Sequence, residues 1–186
     1  MKRTFDLFLA SVLIILLFVP LFVIAIVIKL NSEGPVLFSS ERIGQGNCLF
    51  RMLKFRSMKV GTPLVGTHLL EDPKSAMTTI GSYLRQWSLD ELPQIWNILQ
   101  GDMSFVGPRP ALFNQADLIA LRTEKSIDHM VPGITGWAQV NGRDELSIYD
   151  KVSFDQEYML NQSFIFDLKI LWLTYLKVIG KDNISH

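Results

Sequence analysis

The sequence predicts an α+β fold that is mainly helical, with an N-terminal membrane helix, a small β-hairpin and further helices, some of them amphipathic and interfacial. Residues 7–28 form an apolar stretch without a charge. Two short runs typical of strands follow around a glycine-rich turn, and apolar residues recur at helical spacing through the second half of the chain. At 186 residues the chain is long enough for one domain.

Composition excludes several classes of protein. Lys+Arg and Asp+Glu both number 18, so the formal charge is zero. This excludes a nucleic-acid binder that works through bulk positive charge, and nucleic acid is not an expected partner. The single cysteine, Cys48, excludes an internal disulfide framework. The three histidines show no spacing typical of zinc ligands.

The apolar segment from Leu7 to Ile28 is long enough to cross a bilayer, because a helix of that length reaches about 33 Å. Pro20 lies inside it and removes one backbone donor, so a break there would leave two pieces too short to cross alone. Lys2 and Arg3 precede the segment and Lys29 follows it, so the positive-inside rule gives no orientation. These features suit a re-entrant hairpin, and a kinked spanning helix is the alternative.

The next segment predicts a β-hairpin. Residues 36–38 and 49–55 are typical of short strands, and residues 44–47 form a glycine-rich connection between them. Lys54 alternates with apolar neighbours in the second strand, so its side chain points to one side of the strand. A solvated surface lysine is the alternative.

Two further helices follow from the spacing of apolar residues. The first is predicted over residues Thr79–Trp87. The second lies near the C-terminus, where an apolar stripe runs from Leu168 to Ile179. Its tryptophan, tyrosine and lysine residues favour a position in the membrane interface over ordinary core.

The segment Ser88-Leu89-Asp90-Glu91 matches the capping box and predicts a helix that begins at Ser88. Asp90 and Glu91 would lie in its first turn, where unpaired amides and the helix dipole favour ionised carboxylates. Paired acids also suit Mg²⁺, which takes one or two carboxylates and completes its shell with phosphate and water. The alternative is that Glu91 only caps the helix and Asp90 only complements the dipole.

Two more stretches contain features suited to phosphate. Gly107-Pro108-Arg109-Pro110 holds an arginine between prolines, and the planar guanidinium matches phosphate oxygens. Residues 132–143 hold three glycines and an Asn-Gly turn, and end at Arg143. A rigid surface turn is the alternative for the first stretch, and a hairpin with a buried tryptophan is the alternative for the second.

The order of these motifs resembles the bacterial sugar transferase family, the monotopic phosphoglycosyl transferases. After the apolar segment with its proline, the matching motifs are Gly34-Pro35-Val36, Arg42-Ile43-Gly44, Lys54-Phe55-Arg56-Ser57-Met58, Ser88–Gln94, Gly101–Pro110 and Pro132–Arg143. The resemblance covers about residues 2–178, and the length resembles the minimal catalytic form of the family.

The resemblance implies an enzyme that moves a sugar 1-phosphate from a UDP-sugar to polyprenol phosphate, usually undecaprenyl phosphate, and releases UMP. Asp90 matches the nucleophile that forms a covalent phosphosugar enzyme. Glu91 matches a residue that binds Mg²⁺, with Asp90 beside it. Four basic residues match positions that the family would use for phosphate and nucleotide: Lys54, Arg85, Arg109 and Arg143.

The resemblance also implies a re-entrant membrane helix over residues 1–30, broken at Pro20, and a cytoplasmic catalytic domain over residues 31–186 packed on the membrane interface. The family has a Ser-Pro step at the break, whereas here Val19 precedes the proline. The expected location is the inner membrane of a bacterium, with membrane lipid as a partner, and the chain could form a homodimer. The competing hypothesis is a catalytically silent membrane-anchored subunit that binds nucleotide or organises a polysaccharide assembly complex.

Overall fold

The computed structural model describes residues 1–63, 72–142 and 145–180. Within these ranges the chain is mainly helical with two small sheets, which confirms the predicted α+β class. The elements in chain order are α1 (Lys2–Asn31), β1 (Leu37–Ile43), β2 (Leu49–Phe55), α2 (Pro73–Ala76), α3 (Thr79–Gln86), α4 (Gln94–Gln100), β3 (Ser104–Val106), α5 (Ala116–Glu124), β4 (Gly133–Thr135), α6 (Trp137–Val140), α7 (Ile148–Leu160) and α8 (Phe164–Gly180).

The predicted hairpin is present. β1 pairs antiparallel with β2 over its whole length, from Leu37 opposite Phe55 to Ile43 opposite Leu49. Gly46 in the connection adopts a left-handed conformation with φ of 63°, which glycine reaches at no steric cost. β1 is longer than the sequence pattern indicated, because pairing with β2 continues to the turn.

The glycine-rich stretch from residue 132 does not form the hairpin considered as its alternative. Its first part, β4, pairs in parallel with β3, with Ser104 opposite Gly133. Added Cβ atoms at Gly133 and Gly136 would collide with the backbone of Gly107. The glycines therefore allow two distant segments to approach at backbone distance, and the short helix α6 follows the strand.

α1 continues through Pro20, which lies inside the helix. The predicted break at Pro20 is therefore corrected: α1 does not end at the proline but continues to Asn31. Proline costs one hydrogen bond and crowds the preceding turn, but packing on both sides of it stabilises the helix. Leu17 packs against one core cluster and Leu21 against another. Among the described residues, α1 is the one helix whose length and apolar character suffice to cross a membrane.

One side of α1 lies along the rest of the domain. In its first half Ala10 packs with Ile98 and Met103, and in its second half Ile28 packs with Phe55. The other side leaves large apolar side chains exposed: Phe8, Ile15, Leu16, Phe18, Val19, Phe22 and Leu30. A long exposed face that is mainly apolar is typical of contact with lipid.

Polar contacts hold the start of α1 to the domain. Asp6 is 3% exposed, and its carboxylate accepts hydrogen bonds from Ser104 Oγ at 2.8 Å and from the Phe105 amide at 3.4 Å. Lys2 forms an ion pair with Asp167 of α8 at 2.8 Å. A carboxylate in an apolar helix is costly unless it has such partners. These contacts tie α1 to β3 and α8.

α8 confirms the predicted C-terminal helix. Asp167 and Ile170 are buried against the domain, whereas Trp172 and Tyr175 are exposed and stack with ring centroids 5.6 Å apart. One side of α8 therefore packs as core and the other presents aromatic and aliphatic groups, which is the distribution expected of an interfacial helix.

Replacing Asp6 by alanine should destabilise the protein. The change leaves the Ser104 hydroxyl and the Phe105 amide buried without this acceptor, which costs about 1–3 kcal/mol. The measurement is thermal unfolding in detergent followed by tryptophan fluorescence. Thr4→Ala, at an exposed position two residues earlier, is the matched control and should unfold like the unaltered chain. Equal melting temperatures for both variants would contradict the prediction.

Candidate active site

The segment that holds the two acids differs from its prediction. Ser88 has a left-handed backbone with φ of 53° and makes no side-chain cap, so the capping box is wrong. The Ser88 carbonyl oxygen instead accepts the Glu91 amide at 3.2 Å and closes a 3₁₀ turn over Leu89–Glu91. α4 begins only at Gln94. Both acids therefore lie in a tight turn before the helix.

The carboxylate of Glu91 lies at the centre of a charged cluster. Its Oε1 atom accepts a hydrogen bond from Lys54 Nζ at 2.7 Å and another from a terminal guanidinium nitrogen of Arg109 at 3.3 Å. Glu91 is 8% exposed, so these contacts lie mostly away from water. Without the Glu91 carboxylate, the charges of Lys54 and Arg109 would stay partly buried and lose this partner. The two contacts therefore hold all three side chains in place.

Asp90 is the more deeply buried of the two acids, at 4% exposed. Burial raises its pKa above the ordinary value of 3.8, and the negative charge of Glu91 acts in the same direction. The nearby positive charges of Lys54, Arg85 and Arg109 oppose this effect in part. A helix dipole was expected to favour the ionised form, but the 3₁₀ turn supplies only a short dipole and desolvation dominates.

Lys54 and Arg85 approach the acids from different elements. Lys54 lies on β2, and burial lowers its pKa while its contact with Glu91 opposes the shift. Arg85, in the last turn of α3, donates from Nε to Ser57 Oγ at 3.0 Å. Burial lowers the pKa of Arg85, and the charges of Asp90 and Glu91 counter that effect. The cluster brings opposite charges together in a low-dielectric setting.

Arg109 is positioned by a second buried pair that the sequence did not reveal. Arg122 donates to the Arg109 carbonyl oxygen at 2.8 Å and forms an ion pair with buried Asp155 at 2.6 Å. Burial raises the pKa of Asp155, and Arg122 opposes that shift. No local pattern marks this pair, since its members lie on α5 and α7. The flanking prolines alone therefore do not hold the arginine.

The predicted site residues fall into three groups. The structure brings Lys54, Asp90, Glu91, Arg85 and Arg109 together in one cluster. Pro20 lies on α1 outside the cluster. Arg143 lies outside the described residues. The sequence did not single out Asp6, whose buried carboxylate attaches α1 to β3, although a single acid beside an apolar segment signals a buried partner.

A family model described as bacterial sugar transferase matches residues 1–181 of this chain. The chain belongs to the bacterial sugar transferase family. The match confirms the family expected from the motif order, and with it the class of enzyme, a transferase.

Several curated relatives are similar over nearly the whole chain. The UDP-glucose:undecaprenyl-phosphate glucose-1-phosphate transferase of Escherichia coli (strain K12) is 42% identical over 95% of this chain, and the match covers 40% of that relative. An uncharacterized sugar transferase, EpsL, of Bacillus subtilis (strain 168) is 40% identical over all of this chain and 90% of its own length. The undecaprenyl-phosphate glucose phosphotransferase of Komagataeibacter xylinus is 43% identical over 98% of this chain and 36% of its own length. The chain thus spans about two fifths of the first and third relatives.

The two acids of this sugar transferase supply oxygen donors of the kind that Mg²⁺ prefers. Within the described ranges no group of three or more His, Cys, Asp and Glu side chains is placed to hold a metal ion. Asp90 and Glu91 would therefore bind Mg²⁺ only together with substrate phosphates and water, which is the usual arrangement for this ion. Glu91 Oε1 already contacts two cations, so a bound metal would share that carboxylate with them.

Replacing Lys54 by methionine should lower the free energy of unfolding of the sugar transferase by about 1–3 kcal/mol. The change removes the shorter of the two contacts to a buried carboxylate, while Arg109 still pairs with it. Lys59→Met, at an exposed position, is the matched control. Thermal unfolding of both variants is the measurement. Indistinguishable curves would show that the Lys54–Glu91 pair contributes nothing to stability.

Proposed function

We propose that this sugar transferase moves a sugar 1-phosphate from a UDP-sugar to polyprenol phosphate, in bacteria undecaprenyl phosphate, and releases UMP. The observation that carries the proposal is the pair of buried carboxylates among three cations, next to an apolar helix suited to lipid. Relatives named as undecaprenyl-phosphate sugar phosphotransferases support the donor and acceptor classes. A diphosphate donor brings the negative charge that such a cluster can bind.

In the first step a carboxylate oxygen of Asp90 attacks the phosphorus that bears the sugar. A phosphorus–oxygen bond to Asp90 forms, the bond to the UMP oxygen breaks, and UMP leaves with the electron pair. Arg85 and Arg109 offer guanidinium donors to the phosphate oxygens on which charge accumulates. Lys54 holds Glu91 in place beside the nucleophile.

In the second step an oxygen of the lipid phosphate attacks the same phosphorus. The new bond completes a lipid-linked diphosphate sugar, the bond to Asp90 breaks, and the Asp90 carboxylate is restored. A dianionic lipid phosphate releases no proton in this step. Burial disfavours a charge on the Asp90 carboxyl group, and in the acyl phosphate the negative charge lies on the phosphoryl oxygens, to which Arg85 and Arg109 can donate.

Mg²⁺ fits the donor set as an ion held by Glu91, with Asp90 beside it, and it would neutralise charge on the donor diphosphate. Arg143 stays a proposed phosphate-binding residue on the resemblance alone. The protein residues retain their separate tasks: Asp90 makes and breaks the bond, and the basic residues orient the phosphates.

We further propose that both ends of α1 lie on the cytoplasmic side of the inner membrane. Both ends of α1 contact the same domain: Lys2 pairs with Asp167, and Arg56 donates to the carbonyl oxygens of Ser32 and Glu33 just after the helix. A helix that spans the bilayer has its two ends on opposite sides of a hydrocarbon core of about 30 Å. Both ends could then not contact one domain that stays in water. The apolar outer face of α1 supports insertion to partial depth.

Asp90→Asn should abolish turnover, with a loss of about a thousandfold or more, because the amide is a poor nucleophile. UMP release and trapping of radiolabelled phosphosugar on the protein are the two measurements. Asp117→Asn, at an exposed position on α5, is the control. A scaffold subunit would show no UMP release in any form of the protein. A hydrolase would release UMP and free sugar 1-phosphate without lipid phosphate.

The pH dependence of the first step should report the raised pKa of Asp90. Because the ionised carboxylate attacks, the rate falls as pH decreases through that pKa, which lies above the ordinary value of 3.8. The same shift means that ionised, buried Asp90 destabilises the fold at neutral pH. Asp90→Asn should therefore melt at or above the temperature of the unaltered chain near pH 7, and this gain should vanish in acid. An acid limb at ordinary aspartate values would contradict the assignment.

Cysteine labelling tests the path of α1. In a Cys48→Ser background, single cysteines at Thr4 and Glu33 should react with an impermeant maleimide from the cytoplasmic side only. A cysteine at Phe18, exposed in the fold but inserted in lipid under the proposal, should stay protected in membranes and react after solubilisation. Inverted vesicles and intact spheroplasts supply the two sides. Labelling of the two ends from opposite sides would establish a spanning helix.

A further inference from the structure

A cavity of about 300 Å³ lies between α1, α4, the β3–β4 pair and α8. Its walls are mostly apolar, with side chains from every one of these elements: Leu13, Leu17, Ile95, Phe105, Ile134 and Val178. Such walls suit hydrocarbon, and the polar side chains that also line the cavity are Ser88, Glu91, Arg109, Thr135, Gln139, Thr174 and Lys177. The mainly apolar surface of the cavity therefore suits the hydrocarbon part of a lipid, with polar groups available for its head.

The cavity is continuous with the candidate active site. Glu91 and Arg109 line it together with the apolar residues, so a ligand inside it reaches the charged cluster. The walls thus combine an apolar stretch with an arginine suited to phosphate.

Lys177 adds a second cation to the same cavity. It projects from α8 and is half-buried. Within the described ranges no carboxylate forms an ion pair with its ammonium group, whereas Lys54, Arg109 and Arg122 each have one. A half-buried ammonium beside apolar walls favours an anionic group from outside the chain.

The two helices that flank the cavity also present apolar surface outward. Leu13 and Leu17 face the cavity from α1, whose other side exposes Leu16 and Phe18. α8 likewise exposes Trp172 and Tyr175 next to the turn that holds Lys177. The cavity is therefore flanked on both sides by helices that expose apolar side chains, which suits a ligand whose remaining hydrocarbon stays in the bilayer.

We infer that this cavity binds the polyprenyl phosphate acceptor, with its first isoprene units between α1 and α8 and its phosphate against Lys177 and Arg109. The inference rests on the proposed function and adds the place and the residues that hold the acceptor. The volume admits only part of the chain, so the rest stays in the bilayer. There the lipid phosphate oxygen forms its bond to the sugar-bearing phosphorus as the bond to Asp90 breaks. Lys177 reduces the repulsion between the two phosphates.

Variants of Lys177 test the charge. Lys177→Met should raise the Kd and the KM for undecaprenyl phosphate in nanodiscs about tenfold or more, and Lys177→Arg should restore both. The burst of UMP with UDP-sugar alone, which needs no acceptor, should keep its rate and amplitude. Lys169→Met, on the same helix but over the Trp137 ring, should leave acceptor binding unchanged. Unchanged Kd and KM in Lys177→Met would overturn the assignment.

A pair of neighbouring variants tests the apolar wall. Leu17→Trp should fill the cavity and weaken undecaprenyl phosphate binding, while Leu16→Trp, on the exposed side of α1, should not. Equal effects of the two variants would overturn the inference. Phosphatidic acid carries the same phosphate monoester on acyl chains and should compete poorly. Competition as strong as that of undecaprenyl phosphate would show that the cavity accepts any lipid phosphate and refute the polyprenyl assignment.

The direct binding measurement separates this inference from the proposed function. If the unaltered chain gives no UMP burst but binds undecaprenyl phosphate in a way that depends on Lys177, the proposed reaction fails and the lipid site stands. If the burst occurs but binding is insensitive to Lys177 and Leu17, the reaction stands and the lipid site is refuted.

Discussion

The contact of one buried carboxylate with two cations holds the candidate active site together. Glu91 comes from the turn before α4, Lys54 from β2 and Arg109 from the loop after β3, and these segments are far apart in the chain. A charge removed from water costs several kcal/mol unless it is paired. If one of the three segments moved away, a partly buried charge among Glu91, Lys54 and Arg109 would lose its partner, and this cost keeps the segments together. Asp90 lies beside this arrangement, and burial raises its pKa while the nearby cations oppose that shift in part.

α1 connects that cluster to an exposed apolar surface of the molecule. Its inward side completes the core and the cavity wall, while its outward side is apolar and exposed. Asp6 and Lys2 attach its start to β3 and α8, and Arg56 attaches the chain just after its end. α1 is thus part of the framework of the candidate active site, because removing it would open the core and the cavity next to the charged cluster.

Local sequence patterns predicted the hairpin and the helices well, but they predicted the turn before α4 and the pairing of β3 with β4 less well. The hairpin and the helices α3 and α8 follow from the spacing of apolar residues, since this spacing reflects contacts between near neighbours. The capping box failed because Ser88 adopts a left-handed backbone that turns its side chain away from the following amides. The stretch from residue 132 became a strand and a short helix because Gly133 and Gly136 meet Gly107 across the β3–β4 pair. Nothing near those glycines in sequence reveals that contact.

The sequence by itself determined the family, the apolar segment and the identity of the acids and bases in the cluster, because these are properties of residue type and order. Only the tertiary structure decided that Pro20 lies within a continuous helix and that Arg122 supports Arg109. It also decided that Asp90 is hard to ionise and that Lys177 shares a cavity with Arg109. These properties depend on burial and on distances between residues far apart in the chain, and neither is written in local sequence.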